Sequence, residues 1–133
     1  MNVIVVADER NGTMWGGRRQ SRDRVLTDRI LQMSGGALFV TPYTAKLFAG
    51  TAAQLTVSED PFRAAGENDW CFAEGLPLLP VQKKIGRLVV YRWDCVFPTD
   101  QKLDLDLAAM KRVATAEFAG YSHEKITEEV YIP

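Results

Sequence analysis

Residues 2–7, NVIVVA, decide the fold of this 133-residue chain. The run is apolar, rich in β-branched side chains and ended by the polar residues 8–12, which is typical of a strand buried on both faces. We therefore expect it at the centre of a β-sheet. Further short runs of this kind predict strands at 37–40, 54–57, 70–73 and 88–93.

Helical signals fall between these strands. Ser21 is a good N-cap residue, and Asp23 in the first turn complements the helix dipole, so we expect a helix from Ser21 to the glycines at 35–36. Its apolar side chains recur on one face, at Leu26, Ile30 and Met33. Shorter helical segments are predicted to begin at Pro42, Ser58 and Leu78. Strands that alternate with helices predict parallel strand pairs joined by crossovers.

The pattern changes after residue 94. Residues 96–107 have no helical period, and residues 111–118 and 126–132 predict two strands joined by the polar loop AGYSHEK. In the second of these strands one face carries Ile126, Val130 and Ile132, as expected of a half-solvated antiparallel hairpin. The sheet should therefore be mixed, parallel at its centre and antiparallel at one edge.

The composition is that of an ordinary folded domain. With 16 basic and 17 acidic side chains the net charge is -1, so bulk electrostatics do not favour nucleic acid or an anionic membrane. No apolar run approaches the roughly 20 residues that span a bilayer, and the amino terminus lacks the features of a signal peptide. We expect one domain over residues 1–133, located in the cytoplasm, with no membrane partner and nucleic acid disfavoured.

Thiol and imidazole side chains are few. Cys71 and Cys95 lie in apolar, strand-like surroundings typical of buried reduced thiols; a disulfide or a thiol nucleophile is the alternative. With His123 they supply fewer than the four donors of a zinc site, so no metal site is predicted. His123 stands between Ser122 and Glu124. These are the residue types of a hydrolytic triad, but neighbours in sequence rarely converge in one geometry, and an exposed turn is the simpler interpretation.

Two carboxyl-terminal stretches carry a likeness to a known family: GRLVVYRWDCVFPTDQKLDLDL at 86–107 and RVATAEFAGYSHEKITEEVYI at 112–132. Together with Asn11 and Gly12 after the first strand and a helix that opens near Asp23, they resemble a shortened dihydrofolate reductase over nearly the whole chain. The resemblance implies a three-layer α/β fold, with a mostly parallel twisted central sheet, helices on both faces and a C-terminal antiparallel hairpin. It also places Asp23 where the family carries the acid that hydrogen-bonds the pterin ring.

Several positions depart from the family's ligand contacts. The phosphate-holding Gly-Arg-x-Thr corresponds to residues 41–44, of which only Thr44 is kept, and Glu59 replaces the arginine that binds the 2′-phosphate of NADPH. Thr51 stands where an arginine would clamp the folate carboxylate. Residues 74–75, Glu-Gly, replace a Gly-Gly pair that lets the cofactor approach the backbone. The resemblance thus implies a reductase frame without most of the groups that hold its usual ligands.

The stretch MWGGRRQSRDR, residues 14–24, is the strongest candidate for a binding site. Two flexible glycines, two arginines and a helix N-terminus come together there, which suits a phosphate or carboxylate; the alternative is a solvated basic loop paired with nearby acids. Asp23 is the candidate catalytic residue, as an acid or base whose pKa burial would raise, or else only a partner of the helix dipole. The predicted ligand-binding residues are Trp15, Gly16, Gly17, Arg18, Arg19, Ser21, Thr44 and Gly75.

The sequence leaves three functions open. The first is a diverged pocket that binds a small anionic or planar ligand, with no catalysis required and no cofactor expected. The second is a reductase of a pterin or related heterocycle that uses NADH or NADPH; NADH is favoured because Glu59 would repel the 2′-phosphate. The third is a nucleic-acid or protein interaction module built on the arginine loop at 16–24.

Overall fold

Ten strands make up two sheets in the computed structural model, which describes residues 1–133. In chain order they are β1 (Asn2–Ala7), β2 (Gly12–Trp15), β3 (Arg18–Arg19), β4 (Ala37–Val40), β5 (Gln54–Val57), β6 (Trp70–Phe72), β7 (Arg87–Trp93), β8 (Gln101–Lys102), β9 (Lys111–Phe118) and β10 (Ile126–Ile132). The main sheet has the order β5-β4-β6-β1-β7-β10-β9. Its strands from β5 to β7 are parallel, and β10 pairs antiparallel with both β7 and β9. The predicted mixed sheet is confirmed, with the 2–7 strand at its centre.

β1 is apolar throughout because its side chains enter two separate cores. Val3 and Val5 belong to the cluster on one face of the sheet, and Ile4 belongs to the cluster on the other face. Successive side chains of a strand point to opposite faces, so both faces of β1 are buried.

Helices cover both faces of the main sheet. They are α1 (Arg24–Met33), α2 (Pro42–Ala45) and α3 (Pro61–Ala64), with 3-10 turns at Lys46–Phe48, Leu79–Lys84 and Leu107–Ala109. Leu26 and Ile30 of α1 pack with Ile4, whereas Phe62 of α3 packs with Val3 on the opposite face. The predicted three-layer arrangement is confirmed. None of the helices combines the length and apolar character needed to cross a membrane.

Two helices begin at residues other than those predicted. α1 is capped by Asp23, whose side chain accepts the Val25 N–H at 2.9 Å, and not by Ser21. α3 likewise follows an Asp60 cap and not Ser58. The unpaired N–H groups of a first turn need a side-chain oxygen, and the aspartates supply it, which leaves Ser21 free for a tertiary contact.

The second sheet, of order β3-β2-β8, is not predicted by the sequence analysis. β2 and β3 form a hairpin whose two-residue turn is Gly16 and Gly17, with φ of 58° and 73°. Glycine adopts this conformation without strain, and paired positive φ values match the twist of a tight hairpin. The interpretation of the stretch that carries Arg18 and Arg19 as a loop is therefore wrong, although a Gly-Gly pair between short extended runs is a recognised hairpin signal.

Candidate functional site

A small pocket, called the central pocket below, lies between α1, the residues that follow β6 and the β2–β3 hairpin. Its volume is about 30 Å3. Because a water molecule needs roughly 10–15 Å3 of such space, the pocket holds about two water-sized groups. Apolar walls come from residues that include Met14, Phe72 and Trp93, and the polar lining residues are Thr13, Arg19, Gln20, Ser21, Asp23, Thr27 and Glu74.

An open cleft, called the side cleft, adjoins the central pocket. The two share Asp23, Thr27 and Leu47 in their walls. The volume of the side cleft is about 450 Å3, which is within the range of roughly 300–1,000 Å3 that small-molecule sites occupy. Ligand-sized space therefore lies directly beside the central pocket.

The carboxylate of Asp23 is surrounded by hydrogen-bond donors. Besides Val25, it accepts the N–H groups of Tyr121 and Ser122 and the Nδ1–H of His123, each at 2.9 Å. Burial by itself raises the pKa of Asp23, but the hydrogen bonds, led by the one from Tyr121, outweigh burial and lower the pKa far below its usual range. Asp23 is therefore ionised, and the shift is opposite to the one that burial alone predicts.

The loop between β9 and β10 reaches Asp23 because residue 120 is glycine. A Cβ added to Gly120 would lie 2.7 Å from Asp23 Oδ2 and 2.9 Å from the carbonyl oxygen of His123. Both distances are shorter than real Cβ contacts allow. The absence of a side chain at this position thus permits the close approach of the loop to α1.

His123 connects Asp23 to Ser21. Its Nδ1 lies 2.9 Å from Asp23 Oδ2, and its Nε2 lies 3.1 Å from Ser21 Oγ. Since an ionised carboxylate only accepts, Nδ1 carries a proton, and in the neutral imidazole Nε2 is then the acceptor for the Ser21 hydroxyl. The Trp93 and His123 rings pack with centroids 4.4 Å apart, and the His123 side chain is 19% exposed. The interpretation of His123 as an exposed turn residue is therefore wrong.

Arg19 is held by a group of residues that we call the latch: Arg19, Tyr43, Thr44 and Glu74. The Arg19 Nε and Nη2 atoms donate to the two carboxylate oxygens of Glu74 at 2.7 and 2.8 Å, and Thr44 donates to the same carboxylate at 2.9 Å. The Arg19 guanidinium also lies 4.6 Å from the centre of the Tyr43 ring. Hydrogen bonding to Glu74 is the main cause of the raised pKa of Arg19. The latch fastens the β2–β3 hairpin to α2 and to the end of β6.

The predicted ligand-binding residues occupy two places. Those that line the central pocket or belong to the latch are Arg19, Ser21, Gly75 and Thr44. Those at the exposed tip of the β2–β3 hairpin are Trp15, which is 54% exposed, Gly16, Gly17 and Arg18. The tip residues do not line the central pocket. Ligand contact by either group stays a prediction.

Gln20 is a pocket residue that the sequence analysis does not single out. Its Nε2 donates to Asp8 at 3.0 Å, whereas its Oε1 is buried and receives no hydrogen bond. Burial raises the pKa of Asp8, but hydrogen bonds led by the one from Gly12 lower it below its usual value, so Asp8 only accepts and the amide orientation is fixed. Buried polar atoms nearly always have a partner, so Gln20 Oε1 marks a position for a donor.

The two cysteines are free thiols. Burial raises the pKa of Cys71 to about 12, and burial also raises the pKa of Cys95. The thiolate that a cysteine nucleophile needs is therefore scarce at neutral pH. No group of three or more His, Cys, Asp or Glu side chains is placed to hold a metal ion.

These features define a class of protein: an α/β protein with a mostly parallel seven-stranded sheet, an antiparallel hairpin at one edge and a pocket covered by a second small sheet. A comparison with solved structures gives the particular fold. The chain is similar to dihydrofolate reductase from Enterococcus faecalis complexed with NADP(H) and RAB-propyl, at a TM-score of 0.67 and 12% sequence identity, over 98% of this chain and 94% of that chain. The chain therefore has the dihydrofolate reductase fold, and the resemblance seen in the sequence is confirmed at the level of the fold. No protein-family model and no curated protein matches the sequence.

Proposed function

We propose that this chain binds a small planar, anionic ligand between α1 and the β2–β3 hairpin, and that it does not reduce folate. The observation that carries the proposal is the buried Oε1 of Gln20, an acceptor without a donor in a residue that lines the central pocket. A ring N–H or an amino group of a heterocycle would satisfy this acceptor. The apolar walls of the pocket suit the faces of such a ring.

The ligand enters when the β2–β3 hairpin moves away from α1. The closed pocket of about 30 Å3 is too small for a heterocycle, whereas the adjoining side cleft of about 450 Å3 is not. In the open form Arg19 separates from Glu74 and pairs with the anionic group of the ligand. Within the latch, Glu74 thus competes with the ligand for Arg19.

Two contacts argue against folate reduction. Asp23, at the position that the resemblance assigns to pterin recognition, already accepts hydrogen bonds from the loop between β9 and β10. Glu74, one of the two residues in place of the family's Gly-Gly pair, carries a side chain bonded to Arg19 and Thr44. Asp23 and the position of the Gly-Gly pair are therefore both occupied by contacts within the chain.

A reductase that uses NADH or NADPH is the second candidate. It is supported by the likeness to a reductase whose structure contains NADP(H). Glu59, exposed after β5, places a negative charge where the resemblance expects an arginine, so NADH should bind better than NADPH. A nucleic-acid module built on residues 16–24 has less support, because Arg19 is tied to Glu74 and Arg24 lies 3.9 Å from the centre of the Tyr121 ring.

Thermal unfolding with and without ligand tests these alternatives, with 6-carboxypterin as the planar anionic probe. At millimolar concentration 6-carboxypterin should raise Tm, whereas NADPH should not, because only a ligand bound to the folded state stabilises it. Glu74→Gln, which weakens the latch, should strengthen the effect of 6-carboxypterin. Arg63→Ala, a change at an exposed arginine of α3 on the opposite face of the main sheet, is the control and should leave the effect unchanged.

The outcome that contradicts the proposal is equally definite. If 6-carboxypterin stabilises neither the wild-type chain nor Glu74→Gln, the pocket does not bind ligands of this class. If NADH stabilises the chain and supports reduction of dihydropterin, the second candidate replaces the first. RNA binding that weakens steeply with salt and is lost in Arg18→Ala would favour the interaction module.

A further inference from the structure

The contacts of His123 indicate a chemistry different from ligand binding: we propose that Ser21 is a nucleophile toward short-chain carboxylic esters, activated by His123 and positioned through Asp23. Ser21 Oγ lies 3.1 Å from His123 Nε2, and His123 Nδ1 lies 2.9 Å from Asp23 Oδ2. These are the links of a nucleophile, its general base and the group that orients the base. Ser21 and His123 are 102 positions apart, so the fold brings them together.

The surroundings fix the imidazole in the orientation that the reaction needs. The Asp23 side chain is fully buried, and its bond to Nδ1 leaves Nε2 as the acceptor that faces Ser21. Trp93 packs against the imidazole ring and holds its plane. Ser122 is not an equivalent nucleophile, because its Oγ lies on the Nδ1 side, 3.3 Å from the nitrogen that donates to Asp23.

The reaction proceeds in two steps with a covalent intermediate. Ser21 Oγ attacks the ester carbonyl carbon while His123 Nε2 takes the hydroxyl proton; the ester C–O bond then breaks, and Nε2 returns that proton to the departing alcohol. Water next attacks the acyl-Ser21 ester and gives a proton to Nε2. The acid is released as Ser21 recovers that proton, so the chain is unchanged after each turnover.

Ser21 contacts His123 in the conformation in which Arg19 is bonded to Glu74, so in this reacting conformation the size of the central pocket sets the acyl group. Ser21 lines this pocket, whose volume of about 30 Å3 accepts about two water-sized groups, as an acetyl oxygen and methyl require. Acetyl esters are therefore the substrate class, and longer acyl chains should react more slowly.

The test uses the intact chain, a fluorophosphonate probe and p-nitrophenyl acetate. We expect the probe to label Ser21 alone, as read from the intact mass and from peptide mapping. Ser21→Ala should abolish labelling, and both Ser21→Ala and His123→Gln should reduce hydrolysis of p-nitrophenyl acetate by about 100-fold or more. Ser58→Ala, a serine in the loop after β5, should keep the wild-type rate. p-Nitrophenyl butanoate should be cleaved at least about 10-fold more slowly than the acetate.

Failure of this inference is separable from failure of the proposed ligand binding. Three results would each overturn the esterase proposal. They are no labelling of a wild-type chain that melts cooperatively, labelling at a residue other than Ser21, and hydrolysis by Ser21→Ala at the wild-type rate. The two failures are distinguished in the wild-type chain, where 6-carboxypterin should raise Tm if the binding proposal is correct, whether or not fluorophosphonate labels Ser21. Circular dichroism of Ser21→Ala and His123→Gln checks that each variant is folded, so that a lower rate of ester hydrolysis is not caused by unfolding. A wild-type rate of hydrolysis in either folded variant contradicts the catalytic role of that residue.

Discussion

Asp23 holds together two segments that are far apart in the chain, the start of α1 and the loop between β9 and β10. A buried carboxylate is normally expected to be protonated more readily than an exposed one. Here several N–H donors point at one anion, so the hydrogen bonds favour the charged form more than burial disfavours it. The side chain therefore acts as a fixed negative centre that orients His123.

Asp23→Asn should lower the free energy of unfolding by about 2–3 kcal/mol near neutral pH, because the amide cannot accept all of these hydrogen bonds. The pKa of Asp23 is lower in the folded chain than in the unfolded chain. The ionised Asp23 side chain therefore stabilises the folded state fully above the ordinary carboxyl pKa of about 3.9. It is lost as the pH falls toward the depressed pKa. The stability difference between wild type and Asp23→Asn should thus narrow on acidification, as measured by urea unfolding.

The control for this prediction is Asp28→Asn, a change at an exposed acid of the same helix. This substitution should alter stability by no more than about 0.5 kcal/mol. A difference between wild type and Asp23→Asn that stays constant with pH would show that the carboxylate does not stabilise the fold through its charge.

At the scale of elements, the β9–β10 hairpin and the β2–β3 hairpin are each held to neighbouring elements by polar contacts. The first contacts the start of α1 through backbone N–H groups and His123, and the second contacts α2 and the end of β6 through the latch. The approach of the β9–β10 hairpin to α1 depends on Gly120. The site is thus built from loops held by specific contacts on a rigid sheet.

Gly120→Ala should destabilise the chain by about 1–3 kcal/mol, because its Cβ would collide with Asp23 Oδ2 and the loop would have to move. The same movement should reduce the labelling of Ser21 by fluorophosphonate. Gly86→Ala is the matched control, since its Cβ would approach the Met1 carbonyl oxygen only to 3.9 Å. Equal stability of the two variants in urea unfolding would mean that the loop does not need the space beside Asp23.

At the scale of the whole molecule, one sheet separates two apolar cores. β7 contributes to both, because Val89 lies in the cluster beneath α1 and Val90 lies in the cluster on the opposite face, each fully buried. Substitutions at these two neighbouring residues therefore test the stability of the two cores separately. The sequence prediction of a single domain requires that the layers unfold together.

Val89→Ala and Val90→Ala should each lower the free energy of unfolding by about 1–3 kcal/mol within one cooperative transition. Far-UV circular dichroism, which follows the backbone, and tryptophan fluorescence, which follows the side chains, should give coincident urea curves for both variants. Two separate transitions, each sensitive to only one of the substitutions, would contradict the prediction of a single domain.

The elements of the fold could be predicted largely from the sequence, because each depends on residues that are close together in the chain. The apolar run of β1 and the one-sided apolar face of α1 are local patterns, and the strand and the helix that they predict are confirmed. β10 also lies where the sequence predicts it, but the expected alternation is wrong, because Glu128 and Glu129 are buried beside Ile126, whereas Val130 and Ile132 are only partly buried. The β2–β3 hairpin is the exception. Its strands are too short to show alternation, and its Gly-Gly turn is the only local signal.

By itself, the sequence determined the order and type of the main elements and placed Arg19, Ser21 and Asp23 in one candidate segment. Only the tertiary structure decided that Asp23 is ionised, that His123 stands between Asp23 and Ser21, and that Arg19 is bound to Glu74. The physical reason is distance along the chain. Helix and strand patterns repeat over a few residues, whereas the protonation and partners of a buried polar group depend on atoms that folding brings from distant segments.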